Sequence, residues 1–222
     1  MKSSVLVASS VFALLLATPA LAQESGNYIQ GNLGAVLGGK SDLDVTFYGD
    51  DSGKGELDLD LGMFVSGTFG HKLSSKWAVE GEVVYSSTDV DAGDLEDVLE
   101  YLADERVNLD VKAKTYGVLV NANYEFVRSA KVGMYAGAGV GFGRIEYKLA
   151  VPSEDLAGSA KDNGFMWQLK AGLTYDFTPS TTLDLGYRYL ASPRGKGGVD
   201  DELTLSVDTS SHILSAGVRY SF

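Results

Sequence analysis

Eight stretches of this chain alternate apolar and polar residues with a period of two, and one face of each clear stretch carries no charge. That period belongs to strands, whose successive side chains point to opposite sides. The stretches run about 28–37, 57–70, 76–86, 110–126, 132–149, 164–177, 181–190 and 204–222. In the second, Leu57, Leu59, Leu61, Met63, Val65, Gly67 and Phe69 oppose Asp58, Asp60, Gly62, Phe64, Ser66 and Thr68. In the sixth, Phe165, Trp167, Leu169, Ala171, Leu173, Tyr175 and Phe177 oppose Gln168, Lys170, Gly172, Thr174 and Asp176. A soluble sandwich alternates as well, but it rarely needs so long an apolar face ending in aromatic rings. A band in contact with lipid needs both.

The aromatic residues fall at two levels. Phe69, Trp77, Tyr124, Phe126, Tyr175, Phe177, Tyr220 and Phe222 mark one; Tyr85, Tyr116, Phe142, Phe165, Tyr187 and Tyr189 mark the other. Two such girdles flank the hydrocarbon band of transmembrane barrels. An open sheet edge in hydrocarbon would leave backbone N–H and C=O groups unpaired, so the strands should close on themselves. The expected fold is therefore all-β, an eight-stranded antiparallel transmembrane up-and-down β-barrel. Connections alternate between short turns (71–75, 127–131, 178–180) and long loops (38–56, 87–109, 150–163, 191–203), which places the turns on the periplasmic side and the loops outside the cell.

Composition removes other classes. The chain has no cysteine, which excludes disulfides, Cys-ligated metals and a lipid-modified N-terminal Cys. A formal charge of −12 argues against gripping nucleic-acid phosphates, so no nucleic-acid partner is expected. At the N-terminus, Lys2 precedes an apolar run too short to span a bilayer, and Pro19 precedes Ala20-Leu21-Ala22. This is the pattern of a secretory signal cut between Ala22 and Gln23, leaving residues 1–22 as a signal peptide and 23–222 as one barrel domain with no further domain after Phe222.

The closing segment His212-Ile-Leu-Ser-Ala-Gly-Val-Arg-Tyr-Ser-Phe222 is similar to the assembly signal of bacterial outer-membrane proteins. With the eight-strand plan and the opening Gly-Asn-Tyr-Ile-Gln-Gly-Asn-Leu-Gly strand, the chain resembles the small OmpA/OmpX-type barrels, the porin-family or opacity-type surface proteins of Gram-negative bacteria. The resemblance implies an outer-membrane location among lipid and lipopolysaccharide. It also implies recognition of Val218, Tyr220 and Phe222 by the barrel-assembly machinery.

A narrow eight-stranded barrel is filled by side chains. Inward positions read as Asp58, Asp60, Glu80, Glu82, Glu125, Asp176 and Asp184 against Lys170, Arg188 and Arg219. Asp60, Glu80, Glu82, Lys170, Arg188 and Arg219 are the expected interior charge network, a salt-bridged plug or, if the acid surplus matters, a narrow cation pathway. Gly62, Gly172, Gly186 and Gly217 should leave room for Arg and Lys to cross. Ala136, Ala138, Val140 and Phe142 share one parity while Ile145, Tyr147 and Leu149 take the other, which predicts a bulge near Gly143-Arg144.

Between 87 and 110 the chain carries nine acidic residues against Arg106 alone. Asp94 can cap a short helix with Leu95, Val98, Leu99 and Leu102 on one side. This loop is a candidate docking surface for a cationic partner, or for divalent ions bridging it to lipopolysaccharide.

Enzyme-like motifs fail on context. Gly34 to Ser41 spells a phosphate-binding loop, but Ala35 and Leu37 continue a strand and no helix period follows. Asp89, Asp91 and Glu100 have calcium-loop spacing with Gly93 and Asp94 in the wrong places. Gly137, Gly139, Gly141 and Gly143 lack dinucleotide-loop spacing. His212 and Ser215 are three apart and so fall on opposite faces of a strand. No catalytic residue, cofactor or metal is expected. The function expected is a non-enzymatic surface barrel that supports the envelope and presents acidic loops for adhesion or a host ligand; the alternative is a narrow cation-preferring porin-like channel.

Overall fold

The structure, a computed structural model, describes residues 26–47, 51–90, 110–151, 156–192, 195–200 and 203–222. Nearly all of them are strand: β1 (Asn27–Phe47), β2 (Asp51–Lys72), β3 (Trp77–Val90), β4 (Asp110–Ser129), β5 (Val132–Val151), β6 (Leu156–Asp176), β7 (Thr181–Ala191), β8 (Gly195–Asp200) and β9 (Leu203–Ser221). Each pairs antiparallel with its neighbour, and β1 pairs with β9 from Tyr28↔Ser221 to Phe47↔Leu203, which closes the sheet. β7 and β8 lie end to end along the same side of β9, so the nine strands fill eight positions of one antiparallel barrel. Closure gives every barrel strand two hydrogen-bonded neighbours along its apolar stretch.

The turns at one end are short because local side chains complete them. Ser74 Oγ accepts the Trp77 N–H at 3.1 Å and Thr178 Oγ1 accepts the Thr181 N–H at 2.9 Å. Between Ser129 and Val132 only two residues intervene. At the other end the strands run further than the sequence pattern indicates. The region expected as a first loop, 38–56, is largely paired hairpin up to Phe47↔Asp51. Likewise, β5 and β6 remain paired up to Val151↔Leu156.

The outer wall is apolar and aromatic. Trp77 packs on Tyr124 at 4.9 Å between ring centroids, and eight residues further along β3 Tyr85 packs on Tyr116 at 5.1 Å. Eight residues are about 26 Å of strand, or roughly 20 Å of height at a tilt near 40°. The second girdle continues through Phe142 with Phe165 and through Trp167 with Tyr189. Phe142 is 73% exposed, far more than water would tolerate across so many neighbouring rings and aliphatics, so the wall faces lipid. Among the described residues no helix is long and apolar enough to cross a membrane; strands make the crossing.

The barrel wall departs from expectation at two further points. No bulge occurs at Gly143-Arg144, because β5 stays in unbroken register with β6 throughout and with β4 on both sides of that point. Ile145 is buried inside and Arg144 is exposed outside. The parity never changes; what changes is the surroundings, since β5 rises above the girdle, where the outer face leaves the hydrocarbon and the inner face turns apolar. The irregularities lie elsewhere, at Leu59/Gly62, Glu125/Val127, Gly198/Asp200 and Val36/Gly38, the last with Gly38 at a φ of 137° that favours glycine. Nor do the inward glycines make room for crossing Arg and Lys. Gly172 and Gly186 abut Tyr135, Gly217 abuts Asn32, and Gly62 abuts Thr88.

Because the chain lacks cysteine, single cysteines report the unbulged register cleanly. Arg144→Cys in vesicle-inserted protein is expected to react with a membrane-impermeant maleimide while Ile145→Cys does not; the reverse order would restore the bulge.

Candidate functional site: the barrel lumen

Inward positions alternate along all the barrel strands, and their chemistry falls into layers. Near the short turns lies a first ion-pair centre on β3. The Glu80 carboxylate, 2% exposed, accepts the Tyr28 hydroxyl at 2.7 Å and the Lys170 ammonium, with Arg219 at 3.9 Å. Arg219 also donates Nε to Gln30 at 2.8 Å and lies over the Tyr28 ring at 4.3 Å.

Two residues along, Glu82 forms the second centre. It accepts Arg188 Nη1 at 2.7 Å, Gln168 Nε2 at 2.7 Å and Asn121 Nδ2 at 2.9 Å. Arg188 in turn donates to Gln168 at 3.1 Å and stacks on Phe64 at 4.5 Å. Asn32 extends the polar layer to Ser66 at 2.9 Å. Glycines on β5 allow this density: Gly139 takes the Asn121 amide and Gly137 the Asn123 amide, where any Cβ would collide.

Above the charges the lumen becomes dry. Val36, Phe64, Val84, Leu119, Met166, Leu190 and Ile213 form one buried apolar layer contributed by seven strand positions. Gly117 and Gly143 open space for Met166. Still further up, Thr115 meets Ser192 at 3.2 Å and Tyr147 meets Thr209 at 2.5 Å. Each layer closes the one beneath it.

Five of the six residues expected in the charge network converge here: Glu80, Glu82, Lys170, Arg188 and Arg219. Asp60 does not. It is exposed, and its carbonyl accepts the Thr88 hydroxyl at 2.6 Å. Thr68 pairs with Glu82, and Asp60 lies eight residues beyond it, about 26 Å along the strand and past the Phe64 layer. The apparent acid surplus also disappears. Glu125 and Asp176 sit at the short-turn mouth, both bound by Arg128 at 2.8 and 2.7 Å. The deep charges are three carboxylates, counting Asp184, against Lys170, Arg188 and Arg219. Asp184 accepts the Tyr135 hydroxyl at 3.2 Å, while its Oδ2, Asn123 Oδ1 and Thr174 Oγ1 lack protein partners, the kind of group that ordered water satisfies. The side chain of Asp58 lies outside the described residues.

Sequence reading missed Tyr28, Gln30, Asn121 and Tyr135 as lumen ligands, and it missed the apolar layer. The signal for the layer was one apolar residue per strand on an otherwise polar face, as Phe64 shows between Gly62 and Ser66. Gly34 to Ser41 is continuous strand paired on both sides, so no phosphate cradle forms. His212 is outside, its Nδ1 2.7 Å from the Tyr187 hydroxyl, and Ser215 is buried inside. Among the described residues no group of three His, Asp or Glu is placed to hold a metal. Asp89 pairs with Lys112 at 3.0 Å. The other residues of the calcium-like spacing, the Asp94 helix, most of the acidic loop, and Ala20, Ala22 and Gln23 lie outside the described residues.

Breaking a buried pair leaves a bare charge, which costs more than the pair contributes. Glu82→Ala strands the Arg188 guanidinium and is expected to lower stability by about 3–5 kcal/mol in urea unfolding from lipid vesicles. Adding Arg188→Met should recover most of that loss. Wild-type stability of the single variant would show that the centre does not hold the lumen together.

A family model described as outer membrane protein beta-barrel domain matches residues 8–222. An uncharacterized protein of Brucella abortus (strain 2308) is 30% identical over 137 residues, which is 50% of this chain and 48% of the relative, so the chain spans about half the length of the curated relatives it matches. Among solved structures, the outer membrane protein OprG of Pseudomonas aeruginosa aligns at TM-score 0.53 and 17% identity over 89% of this chain and 96% of its own. The outer membrane protein AlkL, solved in lipid bilayers, aligns at TM-score 0.53 and 18% identity over 92% and 94%. At such identities the likeness is one of fold. The short turns therefore face the periplasm and the far rim faces outward, and the chain belongs to the outer membrane protein beta-barrel domain family.

Proposed function

We propose that this protein is a non-enzymatic surface barrel that contributes to envelope integrity and presents its outer loops, above all the acidic segment between β3 and β4, for adhesion or partner binding. The observation that carries the reading is the closed lumen. Glu80 and Glu82, the carboxylates a cation pathway would need, are engaged by Lys170, Arg219 and Arg188 beneath an apolar layer. A wall facing lipid and an interior filled with its own side chains leave the outward surfaces as the working parts. The narrow cation-preferring channel is disfavoured because its acid surplus lies at the rim and the mouth instead of in the lumen.

Export in this reading uses the signal peptide 1–22, and assembly uses Val218, Tyr220 and Phe222 as the mark read by the barrel-folding machinery. Tyr220 and Phe222 stack at 6.4 Å on the periplasmic girdle, where such a mark would be presented.

The nine acidic residues of 87–110 give the test a handle. Cells displaying a variant without residues 91–105 are expected to keep the heat-dependent gel shift of a folded barrel and to lose binding to cationic surfaces and host matrix. Undiminished binding would overturn the role given to the loop. Deleting Phe222 is expected to reduce outer-membrane levels severalfold; unchanged levels would refute its role in assembly.

A further inference from the structure

Twelve Lys and Arg side chains are described, and they are unevenly placed. Lys170, Arg188 and Arg219 point into the lumen; Lys72, Lys76, Arg128 and Lys131 lie at the periplasmic end. The remaining five, Lys112, Lys114, Arg144, Lys148 and Lys161, all sit on the outer faces of three adjacent strands, β4, β5 and β6. Register makes them neighbours: Lys114 faces Glu146, which faces Lys161; Lys112 faces Lys148; and Arg144 lies between Tyr116 and Asn163.

Their height is set by the upper girdle. On each strand the first outward position beyond the girdle ring is polar: Lys114 after Tyr116, Arg144 after Phe142, and Asn163 after Phe165. That is about 6.6 Å of strand above the aromatic ring. The hydrocarbon ends at the girdle, and lipid headgroups begin there. The five cations span from that first position to about 20 Å of strand above the ring, at Lys148. Among the described residues of these three outer faces they meet Glu146 alone, with Asp89 beside them on β3, a local reversal of sign in a chain of net charge −12.

The internal contacts hold the patch in place without consuming it. Arg144 donates Nε to Asn163 at 2.7 Å. Lys161 and Lys148 share Glu146 at 3.3 and 3.8 Å, and Lys112 reaches Asp89 at 3.0 Å. The Lys112, Lys148 and Lys161 side chains are about half exposed and Lys114 is less so, and ion pairs so exposed are weak enough to yield to a multiply charged phosphate.

We propose that the outer faces of β4, β5 and β6 form a binding site for the phosphate groups of outer-leaflet lipid, with Lys114, Arg144, Lys148 and Lys161 as its ligands. The acyl chains of that lipid lie against Val118, Val140, Phe142 and Phe165 below, and its phosphates rest on the cations above.

Native mass spectrometry of the folded, detergent-solubilised full chain with bis-phosphorylated lipid A tests this. Wild type is expected to carry a lipid adduct. K114Q/R144Q/K148Q/K161Q, folded by its gel shift, should weaken the adduct by about tenfold or more. The smaller K148Q/K161Q variant should fall between the two, and Lys72→Gln with Lys76→Gln at the periplasmic end should bind as wild type does. Dephosphorylated lipid A should bind weakly to all of them, and excess inorganic phosphate should not displace the intact lipid. Equal binding by wild type and both patch variants would overturn the site; displacement by inorganic phosphate would overturn its assignment to lipid.

Discussion

Inside hydrocarbon a backbone amide has no water to turn to, and the pairing of β1 with β9 answers that requirement for the whole chain. Once the sheet closes, the inner and outer faces of the strands see different solvents. The outer face can be uniformly apolar between two aromatic girdles because lipid covers it. The inner face can hold ionised groups because the barrel wall screens them from that lipid. Neither face would be tenable on an open sheet.

The lumen shows how so many polar groups stay buried. Glu80 and Glu82 are each surrounded by several donors from strands across the barrel, so the desolvation of each carboxylate is met by charge-assisted hydrogen bonds. Arg188 lies against Phe64, the point where the polar layer meets the apolar one. A cation on that ring joins two layers with opposite solvent preferences. The glycine-rich wall of β5 contributes by absence of side chains, since Asn121, Asn123 and Met166 occupy the space it leaves.

The strands, girdles and paired lumen charges were legible in the sequence because a lipid-facing wall imposes a strict alternation. Legibility ended where the wall left the membrane. Above Phe142 the alternation of β5 persists but its polarity inverts, so Arg144 and Ile145 read as a change of phase when only the surroundings had changed. The paired strands over 38–47 and 51–56 carry a loop-like sequence for the same reason: outside hydrocarbon, neither face has to be apolar. Asp60 was misplaced because parity gives the side of the wall but says nothing of the height. The apolar layer is a property of register, since seven single residues become one cluster only when eight strand positions are aligned.

The central claim is that the lumen is closed, and single-channel recording of the refolded protein in a planar bilayer addresses it most directly. A correctly folded barrel is expected to pass no discrete current. Steps of current that diminish when Glu80 and Glu82 are changed to Gln would contradict the closed lumen and establish a cation path through the two ion-pair centres.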